Sequence, residues 1–239
     1  MRGPDGAVLP GATAAQLTRF LQFGDSMFPV GAFAFSGGLE SAIQKRVVTD
    51  KATLAAYART ALDQAAMGDG IALIWAHRAA AGDGVEELVR IDERIYARKL
   101  SSETRTMTVR MGRKHAELMI DVTGAPIVAA WHARIQAGTT PGCYPVALAA
   151  GFAAQGFGAR EAFAVHQYGV AAMILSAALR LMRVSHIDTQ RMLYELAVEA
   201  DAAYDAAAAA RLDDMAGFAP LSEILAAVHV KAHVRLFMN

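Results

Sequence analysis

The chain has 239 residues and a mass of 25.3 kDa, with 23 basic and 23 acidic side chains and a formal net charge of +0. That balance removes any global attraction to nucleic acid or acidic membranes, and the single cysteine, Cys143, excludes an internal disulfide and a four-thiolate zinc site. With 54% apolar and 19% charged residues, the chain can bury a large core and is expected to have a partner surface.

Met1–Ala14 does not read as a signal peptide, because its one arginine is followed by Gly, Pro and Asp rather than by an apolar run. Residues 1–14 are expected to form a flexible tail, and 15–239 a single all-α domain of about ten helices. Proline is absent between Pro29 and Pro126 and again between Pro145 and Pro220, which favours long helices. No stretch alternates with the two-residue period of a strand.

The predicted elements begin with Ala12–Phe23, whose Leu17, Phe20 and Leu21 share a face. A Gly/Pro loop, Gly24–Phe35, leads to Ser36, a candidate cap for a helix running to about Arg46. Thr49 and Asp50 are cap candidates before Lys51–Met67, and Gly68–Gly70 is expected to separate that helix from Ile71–Ala81. After a turn at Gly82–Gly84 comes Val85–Leu100. Ser101 or Ser102 then caps a helix striped by Met107, Met111 and Leu118. Helices near Ile127–Gln136, Tyr144–Gln155 and Ala159–Arg183 follow, the last two split by Gly156 and Gly158. Asp188–Leu212 reads as one helix, with a short one near Ser222–Lys231 before the terminal Arg235-Leu236-Phe237-Met238-Asn239. The longest apolar runs, around Val146–Ala154 and Gly169–Leu179, are about ten residues, against the roughly twenty that cross a bilayer. The chain is therefore expected to be soluble and cytoplasmic.

Charge is unevenly laid down. Residues 90–114 hold eight basic side chains against three acids, and 188–223 hold eight acids against two arginines. These runs read either as solvated helix faces or as complementary docking surfaces.

Few patterns carry chemistry. There is no phosphate-binding G-x-x-x-x-G-K-[ST] loop and no G-x-S-x-G nucleophile elbow. His229 and His233 share a helical face at i, i+4, but Val-Lys-Ala between them lacks the glutamate base of a zinc protease. They and Cys143 are candidates only for transient metal contact. His115, in the Met111/Leu118 stripe, reads as a satisfied core residue. Glu195/Glu199 and Asp201/Asp205 are carboxylate pairs at i, i+4, and they carry the alternative of a helical metal-dependent hydrolase. The loop from Gly24 to Glu40 places Phe28, Val30, Phe33 and Phe35 among glycines. It reads either as a segment folded onto the core or as an apolar contact surface with Glu40 at its rim.

That loop resembles the urease accessory protein F (UreF) family, whose pattern D-S-x-x-P-[VI]-G-[GA]-[FY]-x-x-S-x-G-L-E matches from Asp25 to Glu40. Glu103-Thr104-Arg105 with Arg110 and Gly112, Tyr144-Pro145-Val146 with Gly151, and His229 with Arg235-Leu236-Phe237 match three further family elements in order. The resemblance covers about residues 16–239. It implies an all-α, non-catalytic, homodimeric nickel-insertion chaperone. Such a protein bridges a UreD/UreH-type scaffold and a UreG-type GTPase on apo-urease and modulates GTP hydrolysis, with nickel in transit and no permanently bound cofactor. By the same resemblance, His229, Arg235, Leu236 and Phe237 would contact the scaffold, while Glu40 and Arg180 would belong to a GTPase-facing patch. The family's usual Glu-Thr after the terminal histidine is Val230-Lys231 here, and the chain ends Met238-Asn239. This departure favours the alternative of a diverged adaptor with another partner.

Overall fold

Helix starts follow local hydrogen-bond chemistry. In the computed structural model, which describes residues 12–25, 27–216, Leu225, Leu236 and Phe237, Thr13 caps α1 (Ala14–Gly24) in a reciprocal box with Gln16. Asp50 with Thr53 does the same for α3 (Lys51–Ala65), and Ser185 with Asp188 for α10 (His186–Ala197). Ser101 accepts the Thr104 N–H at the start of α6 (Ser102–Thr123), and Pro126 opens α7 (Pro126–Gln136). The remaining helices are α2 (Leu39–Gln44), α4 (Ile71–Ala81), α5 (Val85–Arg98), α8 (Tyr144–Ala154), α9 (Ala159–Leu181) and α11 (Ala200–Ala209). Among the described residues there are no strands.

Three expectations need correction. Gly68–Gly70 does not separate two helices: Ala66–Gly70 is a π-helical turn joining α3 to α4. A Cβ on Gly70 would lie 2.5 Å from the Phe163 ring, so glycine here lets α9 approach closely while the helical path continues. The helix expected from Ser36 to Arg46 is only the six residues of α2, because Gly37 and Gly38 are left-handed before it and Arg46, at φ 59, turns the chain after it. Asp188–Leu212 is two helices. At the junction the Val198 and Glu199 N–H groups bond back three residues, to Glu195 and Leu196. The kink lets Met192 and Leu196 of α10 enter one core while Tyr204 and Ala207 of α11 enter the other.

The larger core surrounds α8, which is apolar on all sides and is packed by α4, α6, α7 and α9. The α6–α8 crossing is close: a Cβ on Gly112 would sit 2.2 Å from the Gly142 carbonyl oxygen and 2.6 Å from the Tyr144 nitrogen. Asp92, fully buried on α5, holds the loop before α8 by accepting the Thr140 hydroxyl at 2.6 Å and the Gly142 and Cys143 N–H groups at 2.7 Å. The smaller core joins α2, α3, the C-terminal half of α9 and α10 around Leu39, Leu54, Ile174 and Leu175, and takes in Leu225 and Phe237. α9 is long and apolar enough by composition to cross a membrane, but 56% of its apolar window is buried inside the fold, linking the two cores.

Candidate docking site

α2 and the chain end meet 196 residues apart in sequence. Glu40, buried in the first turn of α2, accepts the Leu236 N–H at 2.8 Å on one carboxylate oxygen and the Phe237 N–H at 3.1 Å on the other. Its own N–H reaches the Ser36 hydroxyl at 3.4 Å. A carboxylate at a helix N-terminus is stabilised by the helix dipole, and charge-assisted hydrogen bonds are the stronger kind. Phe237 thereby sits in the smaller core at 5% exposure, with Leu236 pointing outward at 58%. The Arg180 guanidinium lies 4.1 Å from the Phe237 ring centroid and donates to the Phe33 carbonyl at 3.0 Å. One arginine thus ties the tail to the loop that precedes α2.

That loop is shaped by its own side chains. Asp25 accepts the Met27 N–H at 2.6 Å, and a 3₁₀ turn covers Ala32–Ala34. Phe28 folds inward, edge-on to Phe23 and to the imidazole of His115, while Met27 and Phe33 remain 86% and 75% exposed. The segment divides: Phe28 and Phe35 join the interior, Met27 and Phe33 are exposed, and Glu40, expected at the rim, is buried at 4% exposure.

Beneath the loop lies a cavity of about 200 Å³, lined by Phe28, Met111, Tyr144, Val165, His166 and Asp69 among others. Asp69 on its wall is bonded to Lys99, and His166 Nε2 is 3.8 Å from the same carboxylate. Burial holds the His166 pKa below the ordinary imidazole value. His115, fully buried between Phe28 and Tyr144, has no hydrogen-bond partner at either ring nitrogen, and burial lowers its pKa to about 3. It is a core residue as expected, but not a satisfied one.

The structure brings Glu40, Arg180, Leu236 and Phe237 into one cluster, although the family resemblance assigns them to two surfaces. Phe237, expected to contact the scaffold, is buried at 5% exposure, and its ring completes the smaller core. His229, His233 and Arg235 lie outside the described residues. Cys143 is fully buried, and burial together with the neighbouring Asp92 pushes its thiol pKa up, so it stays protonated and out of reach of a passing ion.

The four carboxylates of the acidic stretch do not converge. Asp201 and Asp205 pair with Arg160 at 2.7 and 2.6 Å, Glu199 pairs with Arg59 at 3.1 Å, and Glu195 lies on the other helix. No group of three or more His, Cys, Asp or Glu that could hold a metal occurs among the described residues. The two charge-biased runs touch at one point, while most of their paired charges find partners elsewhere in the fold. Arg94 bonds Asp213, and Arg98 reaches the Asp213 and Met215 carbonyls at 3.0 and 3.1 Å.

Sequence reasoning missed Asp92 and the Lys99–Asp69–His166 cluster. The one available signal was an acid beside the apolar stripe of α5, where Leu88, Ile91 and Ile95 recur. Several residues that carried the resemblance prove to hold the fold together. Arg105 stacks on Tyr96 and bonds the Lys99 carbonyl, and Gly112 receives the loop before α8.

The sequence profile of the UreF family matches residues 48–197. The chain is 50% identical over 226 residues to the "Urease accessory protein UreF" of Yersinia enterocolitica serotype O:8, an alignment spanning 95% of this chain and 99% of that protein. The proteins of the same name from Yersinia pestis strain Pestoides F and Yersinia pseudotuberculosis serotype IB match at the same identity and coverage.

Proposed function

The chain belongs to the UreF family of urease accessory proteins, and from that premise we propose that it acts in urease maturation as a non-catalytic bridge. In this reading a homodimer in the cytoplasm holds a UreD/UreH-type scaffold on one side and a UreG-type GTPase on the other, on apo-urease. GTP hydrolysis is coupled to insertion of nickel, which is cargo in transit rather than a resident cofactor.

One observation carries the reading: the terminal Leu236–Phe237 pair is clamped by Glu40 and Arg180, and Arg180 also holds Phe33 in the exposed loop. A scaffold that grips the tail would act on the residues assigned to the GTPase through a continuous set of contacts a few ångströms long. The exposed Met27, Phe33 and Leu236 offer apolar side chains of the kind that anchor interfaces, with Arg180 at the surface among them.

The test is size exclusion with light scattering on the full chain mixed with its scaffold and GTPase. We expect a ternary complex with the native chain. Glu40→Gln, whose amide repels one of the two tail N–H donors, should weaken capture of both partners by about tenfold while helical content is retained. A native chain that ignores both partners would sink the proposal. Undiminished capture by Glu40→Gln would sink the role of the clamp.

A further inference from the structure

The cavity beneath the loop that precedes α2 is walled from distant parts of the chain: Phe23 of α1, Phe28 of the loop, Met111 of α6, Tyr144 of α8 and Val165 of α9. Its volume is about 200 Å³, and an apolar cavity of about 150 Å³ already admits benzene. Phe33 and Tyr168 also line it and are exposed, so it reaches the surface.

Glycine inside a helix is destabilising relative to alanine, so an interior glycine calls for a reason. At Gly70 and Gly112 the reason is contact, since a Cβ there would strike a ring or the main chain. Gly169, in the middle of α9, differs: it lines the cavity, and a Cβ on it would meet nothing within 4 Å. Its lack of a side chain leaves room at the cavity wall.

Two polar groups of that wall have hydrogen-bonding capacity to spare. Asp69, on the π turn, accepts Lys99 on one carboxylate oxygen, while the other lies 3.8 Å from His166 Nε2, beyond hydrogen-bond distance. His166 is buried, and its Nδ1 has no hydrogen-bond partner. The carboxylate beside Nε2 favours the tautomer that carries the proton there. A hydroxyl group suits this pair: with its oxygen about 2.8 Å from both atoms, it accepts the imidazole N–H and donates to the carboxylate. An ionic head group is disfavoured, because Lys99 already balances Asp69 and burial keeps His166 neutral.

We propose that this cavity binds a small neutral molecule of the phenol class, with a ring-sized apolar body and one hydroxyl group held by His166 and Asp69. With about seven non-hydrogen atoms, such a ligand is expected to have a dissociation constant of about 0.1–1 mM.

NMR titration of the full chain with phenol, and separately with toluene, which carries a methyl group in place of the hydroxyl, tests this. Phenol should shift the amide signals around Gly169 saturably and bind about tenfold more tightly than toluene. Gly169→Leu, whose side chain enters the cavity, should weaken phenol binding at least about tenfold with circular dichroism unchanged. Ala172→Leu, one turn along the same wall, provides a second block should the first variant fail to fold. His166→Leu should remove the preference for phenol and leave toluene bound.

Phenol that shifts no signal, or shifts that do not saturate, would overturn the site. Undiminished binding in the folded α9 variants would put the molecule elsewhere and overturn the cavity. Equal affinity for phenol and toluene, or a preference that survives His166→Leu, would overturn the role of the His166–Asp69 pair.

Discussion

His115 shows how one side chain sets a pH dependence. Its folded-state pKa is lowered to about 3 by burial, while in the unfolded chain it returns to the ordinary imidazole value of 6.5. Between these values the unfolded chain binds the extra proton, so stability rises with pH and is lost as the solution is acidified below about 6.5. At pH 5 the loss from this residue is about 2 kcal/mol. His115→Leu should therefore melt with a smaller drop between pH 7 and pH 5 than the native chain, and should be at least as stable at pH 7, since two unpaired ring nitrogens leave the core. His166, lowered in the same direction, keeps part of the slope. Thermal unfolding across that pH window decides the point, and an unchanged acid sensitivity in His115→Leu would refute it. The stripe of Met111, His115 and Leu118 told the sequence reader that His115 faces inward. That its nitrogens find no partner depends on Phe28 and Tyr144, which arrive from distant parts of the chain.

Between elements, the decisive contact is the crossing of α6 and α8. Gly112 faces main-chain atoms, not a flexible side chain, so a methyl group added there has no soft neighbour to displace. Gly112→Ala is expected to cost about 3 kcal/mol or more, at the upper end for overpacking, because the loop held by Asp92 would have to move. Denaturant titration gives the value, and a loss below about 1 kcal/mol would mean that the crossing tolerates separation. The sequence marked Gly112 only through resemblance to a family. The physical reason, a backbone-to-backbone approach, emerges when α6 is set against the loop before α8. The π turn and the α10–α11 kink belong to the same class: local periodicity permits an unbroken helix or a break, and packing against Phe163 or into two different cores selects.

Across the whole molecule, two cores share α9. The N-terminal half of that helix contributes Ala162, Phe163 and Val165 to the larger core, and its C-terminal half contributes Ile174, Leu175 and Ala178 to the smaller. Phe237 closes only the smaller one. Phe237→Ala should accordingly lower stability by about 3 kcal/mol and speed amide exchange in α2, α3 and α10, leaving α4 and α8 protected. Exchange that rises evenly over both cores would refute this division. By itself the sequence determined the all-α architecture, most helix starts and the inward faces. These rest on hydrogen bonds and side-chain periods that span about four residues, so they can be read in a short window. Only the tertiary structure decided that Glu40 holds the chain end, that Asp69 meets Lys99 and His166, and that Arg94 of the basic run pairs with Asp213 of the acidic one. Those contacts join residues from 30 to 197 positions apart, and no local rule of the chain encodes which distant groups burial will bring together.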